Sequence, residues 1–110
     1  MEAGYEHAKA LLKGKKRRYA IFCGNDMIAY GVHRAALELD LHVPKNLILF
    51  GFDDNRLNEW LAPWLSTVRV PAFAYGPAIA KLIENPPAAN RAPNSDSVLL
   101  PFELKIRNSA

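Results

Sequence analysis

Two apolar runs of the sequence each end in asparagine and aspartate side chains, and these could bind a polar ligand. Asn25 and Asp26 follow the first run, and Asp53 and Asp54 follow the second. A carboxylate accepts two hydrogen bonds, and an amide both donates and accepts, so the set suits the vicinal hydroxyls of a polyol or sugar. The alternative is turn and cap chemistry, because Asn and Asp are common loop residues and Asp26 could cap the helix that follows.

The elements that must position these residues alternate between helix and strand. The continuous apolar runs Tyr19–Cys23 and Leu47–Gly51 predict strands buried on both faces. Leu65–Val70 is a third, shorter strand, and Val98–Ile106 is a final extended segment. Apolar residues at helical spacing predict four helices, namely Glu2–Lys13, Met27–Leu39, a short Asn55–Leu61 and Phe73–Glu84. The proline-rich stretch Asn85–Asp96 is predicted to be a surface loop.

This order of elements predicts an α/β fold with a mostly parallel sheet that helices flank on both faces. In such a sheet, ligands bind beyond the carboxyl ends of the strands. The polar residues after the first two strands are therefore expected to lie side by side at one edge.

Composition and charge exclude several classes of protein. The 110 residues carry 14 basic and 11 acidic side chains, for a net charge of +3, and five of the basic ones lie in Lys13–Arg18. That cluster is predicted to be a solvated turn, with a phosphate or nucleic-acid contact as the alternative. No apolar run is long enough to cross a bilayer, and no signal peptide is recognisable.

Motifs of enzymes and metal sites are missing from the sequence. It contains no GxGxxG, P-loop or nucleophile elbow, so we expect neither an enzyme nor a cofactor. No two of His7, His33 and His42 are four residues apart, so we expect no metal site. The single Cys23 ends a strand and is predicted to be a core residue, in a protein from a reducing compartment.

Four stretches, in order along the chain, resemble the lactose/galactose repressor (LacI/GalR) family. Tyr19–Gly31 is similar to its "AIFxxNDxxAxG" signature, and Val43–Asp54 resembles its "VPxDxxxxGFDD" strand. Pro63–Arg69 is similar to "PPLTTVxQ", and Val98–Arg107 resembles "LLPxELxxR". Together the four stretches cover nearly the whole chain.

The resemblance implies the C-terminal part of an effector-binding domain with a periplasmic-binding-protein-like (type I) fold. The expected function is effector binding and dimerisation in a cytoplasmic bacterial repressor that responds to a sugar or similar small molecule. The alternative is a fragment of an extracytoplasmic sugar-binding protein of a transporter. The motifs around Asn25 and Asp53 favour the repressor.

The resemblance also implies roles for individual residues. Asn25 and Asp53 would hydrogen-bond the hydroxyls of the effector, while Asp26 would cap a helix and Asp54 would support the turn. Four residues fall where the C-subdomains of two protomers meet in the family: Tyr30, Arg34, Trp60 and Leu61. Local packing under the loop is the alternative role for Trp60 and Trp64.

By the same resemblance, residues 1–70 belong to the C-subdomain, 71–97 to a helix and loop of the N-subdomain, and 98–110 to a closing segment. The helix-turn-helix of the family precedes this region, so operator DNA would be bound only through a segment outside the chain. We therefore expect a fragment without a DNA-binding domain. A truncated sheet leaves edge groups unpaired and apolar faces bare, so the fragment is also expected to self-associate.

Overall fold

The computed structural model describes residues 1–14, 18–84 and 97–110. The chain forms two compact units, one built from Met1–Arg69 with Leu104–Ala110 (unit 1) and the other from Val70–Glu103 (unit 2). Half of the predicted basic turn, residues 15–17, and the predicted surface loop, residues 85–96, lie outside the described residues.

Helices and strands alternate along the chain, as the sequence predicts. In order they are α1 (Glu2–Leu12), β1 (Tyr19–Phe22), α2 (Asp26–Glu38), β2 (Leu47–Phe52), α3 (Asn58–Leu61), β3 (Ser66–Arg69), a short 3-10 helix (Ala72–Ala74), α4 (Tyr75–Glu84) and β4 (Glu103–Lys105). The strands form one sheet in the order β1-β2-β3-β4, and β1 with β2 and β2 with β3 are parallel pairs. The predicted α/β class is confirmed.

The core of unit 1 lies between this sheet and the helices α1 and α2. The fully buried Leu47 and Leu49 of β2 face α2, whose Ala29, Ala35 and Ala36 are also fully buried. Small side chains on α2 allow the helices to approach closely. At Gly31 the approach is so close that a Cβ atom would lie 2.1 Å from the carbonyl oxygen of Met1.

The prediction that strands are buried on both faces is wrong for β1 and β2. Exposure alternates along both strands, and on the outer face Phe22 is 64% and Ile48 39% exposed. Phe22 stacks on Phe50 across that face, with ring centroids 6.0 Å apart. Among the described residues of unit 1, the helices α1 and α2 cover the opposite face only. For this reason β1 and β2 alternate between exposed and less exposed side chains, although nearly all of their residues are apolar.

The two predicted elements nearest the C-terminus are shorter than expected. The segment predicted to be extended over Val98–Ile106 forms a strand only over Glu103–Lys105. Pro101, two residues before this strand, has no N–H to donate to a strand ladder. The helix predicted from Phe73 begins as a 3-10 turn, and α4 starts at Tyr75. Unit 2 has no buried residue on α4. None of the helices described here is long and apolar enough to cross a membrane.

Candidate ligand-binding rim

The loops that follow β1 and β2 meet at one edge of the sheet, and we call residues 24–26 and 53–55 the rim. The parallel pairing aligns Phe22 with Phe50, so both strands reach the rim together. The two loops are joined directly, because the backbone N–H of Asn55 donates to Oδ2 of Asp26 at 2.7 Å. The parallel arrangement thus brings the strand-end polar residues together, as the sequence predicts.

Asn25 caps α2, and this corrects the prediction that Asp26 is the cap. The Oδ1 atom of Asn25 accepts a hydrogen bond of 2.8 Å from the backbone N–H of Ile28. The extended backbone of Asn25 (φ −161°, ψ 168°) is the usual conformation of an N-cap residue. Because the cap uses Oδ1, the amide NH2 group of Asn25 is the part that could donate to a ligand.

Asp26 is instead the centre of a buried network. Its side chain has no exposed surface, and its carboxylate accepts three hydrogen bonds of 2.7 Å. Thr67 donates to Oδ1, while the backbone N–H of Asn55 and the side-chain amide of Asn58 donate to Oδ2. These donors, with the N-terminus of α2, satisfy a charge that would otherwise be costly to bury.

Gly51 is the residue that leaves room for this carboxylate. A Cβ atom at position 51 would lie 2.1 Å from Oδ1 of Asp26 and 3.3 Å from a methyl carbon of Leu65. Three hydrogen bonds hold the Asp26 carboxylate in place, so it cannot move aside cheaply. The glycine next to the C-terminal end of β2 is therefore required by the rim.

Asp53 and Asp54 have consecutive left-handed backbone conformations, with φ of 101° and 47°. Such values strain residues other than glycine, and they persist where surrounding contacts enforce them, often at functional sites. Asp53 is exposed at the rim, with its backbone N–H bonded to the carbonyl of Val68 at 2.8 Å. Partial burial, and then the negative charge of Asp26, raise the pKa of the Asp53 carboxyl above its ordinary value.

Asp54 points the other way and is held by two arginines. Its side chain is 3% exposed; Oδ2 accepts from Nε of Arg69 at 2.6 Å and Oδ1 from Arg107 at 2.8 Å. Burial opposes ionisation, but the hydrogen bonds from Arg107 and Arg69 outweigh it and keep the pKa of Asp54 below its ordinary value. Asp54 is thus a charged anchor of the loop that carries Asp53.

Sequence reasoning missed several residues of this network. Asn58 is buried and bridges Asp26 to Asp54, at 2.7 and 3.4 Å, and Thr67 joins from β3. Neither stands directly after an apolar run, which was the signal that identified the rim. Arg107 lies 53 residues from Asp54 along the chain; it ends the last of the four stretches that resemble the family, but that motif does not indicate which residue it pairs with.

The four residues predicted at a dimer interface differ in exposure. Trp60 is 83% and Leu61 63% exposed on α3, and Arg34 is exposed on α2. Tyr30 is half-buried, and its hydroxyl donates to Oδ1 of Asn58 at 2.8 Å. Their role at an interface stays a prediction.

The two tryptophans, for which packing and subunit contact were both open, behave differently. Trp64 packs on the core and faces the ring of His33 at 4.1 Å between centroids, whereas Trp60 points outward. Burial lowers the pKa of His33, which favours its neutral form.

Cys23 is buried, and burial followed by the charge of Asp26 raises the pKa of its thiol to about 11. Within residues 1–14, 18–84 and 97–110, no three His, Cys, Asp or Glu side chains are grouped to hold a metal.

Sequence comparison gives matches over the full length of the chain. Residues 1–110 match the model of the periplasmic binding protein-like domain. The HTH-type transcriptional regulator MalR of Streptomyces coelicolor is 38% identical over 109 residues, which are 99% of this chain and 31% of that protein. The lactose operon repressor of Rhizobium radiobacter is 37% identical over 110 residues, covering 99% of this chain and 95% of that sequence.

Comparison with solved structures gives the same class of protein. A LacI family transcriptional regulator of Arthrobacter sp. FB24, in complex with lactose, matches with a TM-score of 0.75 and 31% identity. The match covers 98% of this chain and 41% of that one. The chain thus spans about a third of the Streptomyces regulator and under half of the Arthrobacter structure.

Proposed function

Since the chain belongs to the LacI family of transcriptional regulators, through a periplasmic-binding-protein-like domain, we propose that it forms part of the effector-binding region of a bacterial repressor that responds to a sugar. In this proposal, unit 1 contributes the C-subdomain, and the rim binds hydroxyl groups of the effector. The relatives are named as regulators, which favours a repressor over a binding protein of a transporter.

The observation that carries the proposal is the presentation of Asp53. An exposed carboxylate stands on strained backbone, beside a buried network that holds the loop in place. In the proposal, Asp53 accepts hydrogen bonds from two hydroxyls of one sugar ring, and the amide of Asn25 donates to a further hydroxyl oxygen. A charged acceptor of this kind contributes about 1.5–3 kcal/mol for each hydrogen bond to a ligand.

The remaining parts of the proposal concern the whole protein. It acts in the cytoplasm, carries out no catalysis and recognises operator DNA through a helix-turn-helix outside these 110 residues. It forms dimers in which the exposed Trp60 and Leu61 of α3, with Tyr30 and Arg34 of α2, contact a second subunit. Exposed aromatic and aliphatic anchors of this kind contribute strongly to subunit contacts.

The binding proposal is tested by titrating the chain with lactose, sucrose and ribose in a calorimeter. For the sugar that binds, we expect Asp53→Asn to weaken affinity about tenfold or more, because a charged acceptor is lost. Asp40→Asn is the matched control, since Asp40 is also an exposed aspartate with positive φ (56°) but lies away from the rim, after α2. Equal affinities for Asp53→Asn and the native chain, or no binding of any of the three sugars, would contradict the proposal.

Self-association is tested by sedimentation equilibrium. We expect Trp60→Ser to raise the dissociation constant of the dimer at least tenfold, because a centrally placed tryptophan typically contributes about 2 kcal/mol or more. Leu99→Ser, at a site 90% exposed in unit 2, is the control and should leave that constant unchanged. A native chain that stays monomeric at all concentrations would refute the dimer.

A further inference from the structure

The two residues that hold Asp54 lie at the two points where the chain passes between its units. Arg69 is the last residue of unit 1 before the chain enters unit 2, and Arg107 follows three residues after the chain returns at Leu104. Each arginine binds a different oxygen of the Asp54 carboxylate. We call Asp54, Arg69 and Arg107 the Asp54 clasp.

Arg107 is fixed by more than its ion pair. A second nitrogen of its guanidinium group, Nη1, donates to the carbonyl oxygen of Leu65 at 2.7 Å. Its backbone N–H donates to the hydroxyl of Ser66 at 2.8 Å, and that hydroxyl lies 3.2 Å from the carbonyl oxygen of Arg107. The returning chain is therefore attached to the start of β3 by side chain and backbone together.

The clasp acts on the part of the rim whose backbone is strained. Asp54 itself has a φ of 47°, and the adjacent Asp53, with a φ of 101°, carries the exposed carboxylate. Strained conformations persist only where surrounding contacts enforce them. On the Asp54 side of this loop, the carboxylate accepts hydrogen bonds from the two arginines and a longer one of 3.4 Å from Asn58. The backbone N–H of Asp54 also donates to the hydroxyl of Thr67 at 3.4 Å.

We propose that Arg107 and Arg69 are positioning residues for the effector site: through Asp54 they fix the loop that presents Asp53, and they couple that loop to both chain crossings between the units. The inference rests on the proposed function, since Asp53 is taken as the effector contact. Coupling of this kind is reciprocal, so an effector held by Asp53 also stabilises the clasp.

The test compares four variants of the full chain with the native one. The single variants Arg107→Met and Asp54→Asn each break the clasp, and the double variant combines the two substitutions. We expect each single variant to weaken lactose affinity about tenfold, as loss of a buried charge-assisted hydrogen bond does. The double variant should be no weaker than the singles, because both act through one interaction. Arg107→Lys, which keeps the charge, should restore part of the affinity.

The matched control is Lys9→Met, which removes the same charge from an exposed ion pair between α1 and α2 (Lys9 to Glu38, 2.9 Å) and should leave lactose affinity unchanged. Backbone hydrogen exchange without sugar provides the second readout. Exchange at residues 52–55 and at both crossings should rise in Arg107→Met, while α1 and α2 keep native rates. A uniform rise that includes α1 and α2, or additive losses of affinity in the double variant, would overturn the inference.

The two readouts separate this inference from the proposed function. If no sugar binds the native chain but exchange rises only at residues 52–55 and the crossings, the sugar proposal fails and the positioning of the loop by the clasp stands. If lactose binds and Asp53→Asn abolishes binding, while Arg107→Met changes neither affinity nor exchange, the effector site stands and the clasp is refuted.

Discussion

The rim and the outer surface of α1 and α2 each carry a cluster of hydrogen-bonded charged groups, but the two differ in their contact with water. On the helices, Glu38 accepts from the hydroxyl of Tyr5 at 2.6 Å, from Lys9 at 2.9 Å and from Arg34 at 3.4 Å. We call these four residues the helix-face cluster. The side chains of its ion pairs are 36–76% exposed, whereas the side chain of Asp54 at the rim is 3% exposed.

Water decides what each cluster contributes. Hydrogen bonds from Tyr5 and then Lys9 lower the pKa of Glu38 to about 2, yet solvent screens an exposed ion pair and replaces its hydrogen bonds readily. The carboxylates of Asp26 and Asp54 have no such replacement, so loss of one partner leaves a buried polar group unsatisfied. The comparison indicates that hydrogen bonds with similar distances fix the geometry of the rim but contribute little to stability on the helix surface.

The largest expected effect comes from filling the space beside Asp26. Gly51→Ala should destabilise the chain by about 4 kcal/mol, since overpacking costs about 1–3 kcal/mol and a displaced carboxylate loses buried hydrogen bonds worth about 1.5–3 kcal/mol. Urea unfolding followed by circular dichroism measures the change. Gly24→Ala is the control, because a Cβ atom there would meet no atom within 4 Å. Similar midpoints for the two variants would show that the rim tolerates displacement of Asp26.

An intermediate effect is expected from acid. Because the folded pKa of Asp54 lies below its unfolded value of about 3.9, its contribution to stability is complete above that value and is lost as pH falls through the folded pKa. The free energy of unfolding of the native chain should therefore decrease from about pH 5 downward. Arg107→Met removes one of the two arginines that lower the pKa of Asp54, so the loss of stability in acid should be smaller in this variant.

The acid prediction is measured by urea unfolding at several pH values. Asp53, whose folded pKa is raised, contributes with the opposite sign, but it is present in both proteins and cancels in their difference. Parallel pH profiles for the native chain and Arg107→Met would mean that Arg107 does not set the ionisation of Asp54.

The smallest effect is expected in the helix-face cluster. Lys9→Met removes the ion pair and hydrogen bonds from Lys9 to Glu38 and Tyr5, but the freed groups are hydrated. We expect the urea midpoint to match that of the native chain within error, at low and at high salt. A loss of stability as large as that of Gly51→Ala would remove the distinction between the two clusters.

Much of the rim could be predicted from the sequence because the pattern that identifies it lies within a few consecutive residues. An apolar run followed by Asn or Asp places Asn25 and Asp53 at strand ends, and parallel pairing then brings the ends together. The role of Asp26 was assigned wrongly for the same reason. Locally it looks like a cap residue, and only the positions of Asn58 and Thr67, 32 and 41 residues away, make it the centre of a network.

The contacts that sequence reasoning missed join residues that are far apart along the chain. Arg107 meets Asp54, and Ser109 donates to the carbonyl of Leu49 at 2.6 Å, across 53 and 60 residues. The exposed face of β1 and β2 was missed because apolar runs predict two covered faces. Among the described residues of unit 1, the helices α1 and α2 cover only the opposite face, which leaves Phe22 exposed.

The most direct test of the account is the map of backbone amide shifts when lactose is added to the native chain, followed by nuclear magnetic resonance. The account predicts that the shifts are largest at residues 24–26 and 53–55, extend to Arg69 and Arg107 through the clasp, and leave Tyr5, Lys9 and Glu38 unchanged. Shifts confined to α1 and α2, with the rim unaffected, would contradict it.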